Sequence, residues 1–179
     1  LVAKNELKAL NHNVQVSLHG QELMDYAYGI GKADLVMQGN RPDSIRQGDT
    51  LVNDRFEGQT FDYILTNPPY GSDWSAVYDE VSKDAIKDGS RFSHGLPAKS
   101  DGQMLFLSHV VSKLAPAHGE LDGGRAGIVL NSSPLFTGAP ESGPDRIRAW
   151  LLTEDLVDSI IALPTSMFYG TGITTYIWI

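Results

Sequence analysis

The chain has 179 residues, no cysteine and a formal net charge of −8. Its 41% hydrophobic and 20% charged content describes one soluble globular domain with a real core and excludes a disordered chain. The lack of cysteine excludes disulfides and thiolate metal sites and is consistent with a cytoplasmic setting, while no signal segment opens the chain and no run of about 18 apolar residues predicts a membrane span.

Acidity weighs against a solitary, tight DNA binder, because affinity for the phosphate backbone comes mainly from Lys and Arg. It does not weigh against an enzyme that takes one base into a pocket while another chain grips the duplex.

Residues 1–10 read as the end of a helix, with Leu7 and Leu10 on one face. The start has neither methionine nor cap, so the chain is expected to be an excised piece of a longer protein. Val14-Gln15-Val16-Ser17-Leu18 alternates as a strand does and stops at Gly20-Gln21-Glu22. Residues 26–37 carry Tyr26, Ile30, Ala33 and Met37 at helical spacing, and Gly39-Asn40 ends the helix. A short strand at 44–46 runs into Gly48-Asp49-Thr50-Leu51, and a stronger one at 61–66 ends in Asn67-Pro68-Pro69-Tyr70.

Residues 71–99 show little periodicity and read as a long loop. A helix is predicted over 103–114, with Pro116 just beyond it, and a buried strand over 125–130. A short helix at 145–152, a strand at 156–163 and a β-branched strand at 173–179 complete the chain. The last two strands share a short Gly-containing link, which predicts that the final one is antiparallel. Strands alternating with helices predict an α/β fold with a mostly parallel sheet.

In such sheets ligands collect at the carboxyl ends of the strands. Glu22, Asp49 and Asn67 each come after a predicted strand. The corner Asn67-Pro68-Pro69-Tyr70 is a stiff device for offering amide and carbonyl oxygens and one aromatic ring to a planar amine. Such an amine occurs in adenine, in a guanine of RNA and in a protein glutamine, and the tetrapeptide alone does not separate them.

Other polar residues carry less. His12, His19, His94, His109 and His118 lack ligand spacing, so no metal is predicted. Lys83, Lys87, Arg91 and Lys99 are interleaved with Asp79, Glu80, Asp84 and Asp88 and read as a solvated face, as do Asp145, Arg146 and Arg148. Asp73-Trp74 either shapes the pocket or covers the loop.

Several segments occur in a telling order: Gly20-Gln21-Glu22-Leu23, Gly48-Asp49-Thr50-Leu51, Asn67-Pro68-Pro69-Tyr70-Gly71, Ser100-Asp101-Gly102-Gln103, Gly124-Arg125-Ala126-Gly127-Ile128-Val129-Leu130, and the stretch from Leu163-Pro164-Thr165 through Phe168-Tyr169 to Gly172-Ile173. Together they resemble the catalytic domain of the modification (methylase) subunit of type I restriction-modification systems, an adenine-N6 DNA methyltransferase.

The resemblance implies a class I S-adenosylmethionine-dependent, Rossmann-like fold, with residues 1–179 a fragment of the catalytic domain truncated on its N-terminal side. The family's first cofactor motif would lie before Leu1, so the fragment is expected to be inactive by itself. S-adenosylmethionine is implied as cofactor, bound by Glu22, Leu23, Asp49, Thr50 and Leu51, with Glu22 at its ribose hydroxyls and Asp49 facing its adenine amine while Thr50 and Leu51 line the ring. Asn67, Pro68, Pro69 and Tyr70 are implied as catalytic, and Tyr70 and Phe168 as the rings that stack on a flipped target adenine. Implied partners are DNA, a specificity subunit, a second modification subunit and, in some systems, a restriction subunit. Alternatives are a methyltransferase of the same corner chemistry acting on a glutamine amide or an RNA guanine, and an inactive assembly module.

Overall fold

A computed structural model describes residues 1–119 and 123–179. The chain divides into two compact units, Leu1–Glu57 and Gly58–Ile179.

The first unit is built on one parallel strand pair. Helix α1, Val2–Leu10, precedes strand β1, Gly20–Glu22. Helix α2, Asp25–Met37, then crosses over to strand β2, Ile45–Gln47. The two strands pair in parallel with Gly20 opposite Ile45 and Glu22 opposite Gln47. A Cβ on Gly31 would sit 3.0 Å from Cδ1 of Ile45, so this glycine lets α2 approach the sheet closely and offsets its low helix propensity. Leu51 and Phe56 are buried after β2, with the Arg46 guanidinium 4.5 Å from the Phe56 ring centre. The side-chain amide of Gln21 spans the gap, donating to Asn53 O at 2.7 Å and accepting from Arg55 N at 3.0 Å.

Two expectations change in this unit. The alternation of 14–18 is real in burial, since Val14, Val16 and Leu18 are half-buried between exposed neighbours. The strand itself is Gly20–Glu22, however, because Ile45–Gln47 offers its ladder only there. Helix α2 forms as predicted, yet Tyr26, Ile30 and Met37 are exposed.

The second unit holds a four-stranded sheet in the order β3-β4-β6-β5. The strands are β3, Tyr63–Thr66; β4, Arg125–Asn131; β5, Ile160–Ala162; and β6, Thr175–Trp178. Strands β3 and β4 are parallel, while β6 is antiparallel to both β4 and β5. Three strands therefore share one direction and the last reverses, as the short link before it predicted.

Helices α4, Gln103–Ser112, and α6, Gly143–Thr153, cover one face. Met104, Leu107 and Val110 of α4 meet Ile128 and Leu130 of β4, Ile147 and Leu151 of α6, and Trp178 of β6. Each such aliphatic side chain, fully buried, contributes about 1.5–3 kcal/mol. Period-two alternation puts Ile64 against this core and leaves Tyr63 and Leu65 on the opposite face, 68% and 72% exposed.

The segment 71–99 is not one loop. A 3-10 turn at Ser75–Val77 leads into helix α3, Tyr78–Ala85, with Asp79 and Glu80 in its first turn and Lys83 in its last. Val81 is fully buried, and this single apolar anchor among charges is why periodicity failed to reveal the helix. Helix α5, Ser133–Phe136, was also unpredicted.

The charged faces expected to be solvated are partly structural. The Arg91 side chain is only 12% exposed, lies 3.6 Å from Asp84 and has its Nη1 2.6 Å from Nδ1 of His109. Arg148 donates to the carbonyls of Pro134 (3.2 Å) and Thr137 (2.7 Å), holding α5 to α6.

Candidate active site

Strand β3 ends at Thr66, and the next residue, Asn67, is exposed at the carboxyl end of the parallel pair. Pro68 is buried, Pro69 exposed and Tyr70 half-buried, so the corner is anchored at its first proline and open on either side. The Tyr70 hydroxyl donates to Asn67 Oδ1 at 2.5 Å. Burial pushes the Tyr70 phenol above its ordinary value, so it stays a neutral donor at physiological pH. Gly71, at φ +61, makes the turn that leaves the corner.

The segment beyond the corner is held firmly. Gly102 N donates to Ser72 O at 2.9 Å, and Trp74 N donates to Lys99 O at 2.8 Å. The indole of Trp74 is 2% exposed and its Nε1 donates to Ala98 O at 2.9 Å. Of the two roles weighed for this residue, an exposed cover is excluded: it is a buried post behind the corner. Asp73 accepts from Ser75 N at 2.8 Å and from the Ser75 hydroxyl, and these bonds hold its carboxyl below the usual range.

A buried polar cluster stands beside this segment. Gln103 is fully buried at the start of α4. Its amide donates to Asp101 Oδ1 (2.9 Å) and Asn131 Oδ1 (2.9 Å) and accepts from Asn131 N (2.9 Å). Asn131 Oδ1 also takes the Ser133 amide at 2.8 Å. The end of β4 is thereby locked to the start of α4, and α4 to the segment behind the corner. Nothing in the sequence flagged Asn131, because a lone asparagine at a strand end has many ordinary roles. Gln103 entered only through the resemblance.

The residues expected at the cofactor lie in the first unit. Glu22 and Asp49 occupy neighbouring carboxyl ends of its parallel pair, joined by the bond from Gly48 N to Glu22 O at 3.0 Å. Glu22 Oε1 accepts from Met24 N at 2.8 Å, while Oε2 takes no hydrogen bond among the described residues. A half-buried carboxylate fixed through one oxygen suits a pair of vicinal hydroxyls. Asp49 Oδ1 caps its own turn through Leu51 N at 2.9 Å. Leu23 is 58% exposed and offers apolar surface; Leu51 is only 6% exposed and belongs mainly to the unit's core. Thr50 is half-buried. The carboxylate acceptors thus fit a nucleoside with free ribose hydroxyls.

Phe168 is half-buried in the connection from β5 to β6. That connection leaves the carboxyl end of β5, which by the strand directions is the same end of the sheet as Asn67.

The scaffold is Rossmann-like α/β, with an Asn-Pro-Pro-Tyr corner at the end of a strand. The chain belongs to the N-6 DNA Methylase family, which it matches across residues 1–179. It is 28% identical over 165 residues to the type I restriction enzyme MjaIX methylase subunit of Methanocaldococcus jannaschii, covering 92% of this chain and 28% of that one. It is 32% identical over 132 residues to the EcoKI methylase subunit of Escherichia coli, covering 74% of this chain and 21% of that one.

The crystal structure of a type I restriction-modification methyltransferase subunit from Streptococcus thermophilus superposes with a TM-score of 0.73 at 31% identity, over 89% of this chain and 32% of that one. The chain therefore spans about a third or less of the relatives it matches. Among the described residues no helix is long and apolar enough to cross a membrane.

Proposed function

We propose that the protein carrying this chain methylates the N6 amine of adenine in DNA, within a type I restriction-modification complex. S-adenosylmethionine, when bound, supplies an electrophilic methyl group on a sulfonium sulfur. The chain's own residues handle the amine. Adenine N6 is a poor nucleophile because its lone pair is delocalised into the ring. Asn67 Oδ1 and the Pro68 carbonyl each accept one N–H, which localises the lone pair and aims it. The two prolines fix these acceptors before the substrate arrives, so little reorganisation is needed at the moment of reaction. Tyr70 stacks on the face of a base withdrawn from the duplex, with Phe168 on its other side. As the N–C bond forms at the expense of the sulfonium S–C bond, whose electron pair would stay on sulfur, the amine releases one N–H proton to solvent.

Glu22 takes the ribose hydroxyls of the cofactor, and Asp49 faces its adenine amine, with Leu23, Thr50 and Leu51 beside it. The observation that carries this reading is an exposed Asn67 at a strand end, its Oδ1 held by the Tyr70 hydroxyl. The family's description as a DNA methylase favours DNA adenine over a glutamine amide or an RNA guanine. A charge of −8 supports a division of labour in which a specificity subunit grips the duplex, beside a second modification subunit and, where present, a restriction subunit.

The test is methyl transfer from labelled cofactor to unmethylated DNA by the full-length protein in its complex. Asn67→Ala is expected to lower the rate by about 10²–10³-fold. A parental rate in that variant, or transfer to tRNA or a release factor in place of DNA, would overturn the reading.

A further inference from the structure

The connection from β5 to β6, residues 163–174, contains no charged residue in a chain of net charge −8. Its backbone turns through positive φ at Ser166 (58°) and Gly170 (78°), on either side of Met167-Phe168-Tyr169. Between these turns Phe168 is half-buried, whereas Met167 is 53% exposed and Tyr169 is wholly exposed, at 107% of the reference area. Ile173, on the way back to β6, is 41% exposed. An aromatic tip flanked by apolar side chains is costly to leave in water and marks a contact surface.

Position identifies the occupant. The segment stands at the same end of the sheet as Asn67, across β4 and β6. At ordinary strand spacing the offset is two to three strands, or ~10–14 Å, comparable with the roughly 12 Å major groove of a duplex. A duplex whose target base reaches the Asn67 corner therefore has its remaining stack within reach of this tip. The uncharged loop is a part of this acidic chain that does not repel phosphate. Withdrawing a base costs a few kcal/mol of pairing and stacking, and apolar side chains inserted between base steps are a general means of offsetting that cost.

Resting on the methyl-transfer reading above, we propose that Tyr169, supported by Met167, is a wedge that enters the base stack of DNA as the target adenine leaves it. Phe168, half-buried between them, serves the withdrawn base. The two adjacent aromatics therefore have separate tasks.

The experiment uses the full-length protein in its complex and a duplex carrying the modified site mapped by sequencing host DNA. Methylation is measured on a paired target and on one whose adenine faces an abasic position, and extrusion is read from 2-aminopurine fluorescence at the target. Tyr169→Ala is expected to lower kcat/KM on the paired duplex by about ten- to a hundred-fold and to abolish the fluorescence rise, while Tyr169→Trp stays within about threefold of the parent. On the abasic duplex, where extrusion is cheap, Tyr169→Ala should recover to within about threefold of the parent.

A parental rate for Tyr169→Ala on paired DNA would overturn the wedge, and so would a loss that persists undiminished on the abasic duplex. Failure of the parental complex to methylate any DNA would instead defeat the methyl-transfer reading, and the wedge with it.

Discussion

The Tyr70 hydroxyl donates a 2.5 Å hydrogen bond to Oδ1 of Asn67, the oxygen assigned to an adenine N–H. An amide oxygen has two lone pairs. One can be held by the tyrosine while the other receives the substrate, so the bond fixes the orientation of the amide without closing it.

Two variants of Tyr70 separate its hydroxyl from its ring. Tyr70→Phe keeps the stacking face and loses only the orienting bond, and kcat is expected to fall by about five- to ten-fold. Tyr70→Ala also loses the stack and should cost about five- to a hundred-fold more. Steady-state kinetics on DNA would check this, and equal losses in the two variants would mean that the ring does not touch the base.

Ionisation of the same residue has a predictable sign. The folded-state pKa of Tyr70 is raised, chiefly by burial. Its contribution to stability is thus fully present below the unfolded value of about 10 and is lost as pH rises through the higher folded value. Ultraviolet difference titration against Tyr70→Phe should show one phenol ionising above the ordinary tyrosine range. A phenol titrating at or below that range would contradict the burial argument.

Gln103 should be intolerant of an apolar replacement of similar size. Gln103→Leu leaves Asp101 without the side-chain donor that Gln103 supplies and Asn131 without two of its partners. Loss of about 2–4 kcal/mol is expected, read as a lower urea midpoint. Because α4 is tied to Ser72, kcat should fall with the affinity for cofactor largely retained.

Two glycines in helices should respond in opposite directions. A Cβ at Gly143 would lie 1.8 Å from Leu96 O, so Gly143→Ala must push α6 away from the stretch between α3 and α4 that carries Leu96, at a cost of about 1–3 kcal/mol or more. Nothing lies within 4 Å of a Cβ at Gly29 in α2, so Gly29→Ala should stabilise by about 0.5–1 kcal/mol. Thermal melts of the two variants would compare them, and a destabilised Gly29→Ala would contradict the open surface around it.

The placement of the candidate residues at strand ends was largely legible because position after a strand is a local property. The β3 run and the double proline after it specify a strand and its stop within ten residues, Asp49 follows β2 closely, and Glu22 is the last residue of β1. The antiparallel last strand was foreseeable from a short link that no crossover helix fits. Other features were illegible for equally physical reasons. Helix α3 hangs on the single buried Val81, below what periodicity detects. The strand expected at 14–18 forms at Gly20–Glu22 because a ladder needs a partner, and where the partner lies is not a local property.

By itself the sequence determined the alternation of most strands and helices, the corner at Asn67 and the family to which its ordered segments point, since these depend on bonded neighbours and short spacings. Only the tertiary structure decided that Trp74 is a buried post, that Gln103 joins β4 to α4 and that Tyr169 stands fully exposed beside a half-buried Phe168. Each of these depends on which distant segment desolvates or pairs with a side chain. Contacts between residues far apart in the chain arise only once the fold has brought them together.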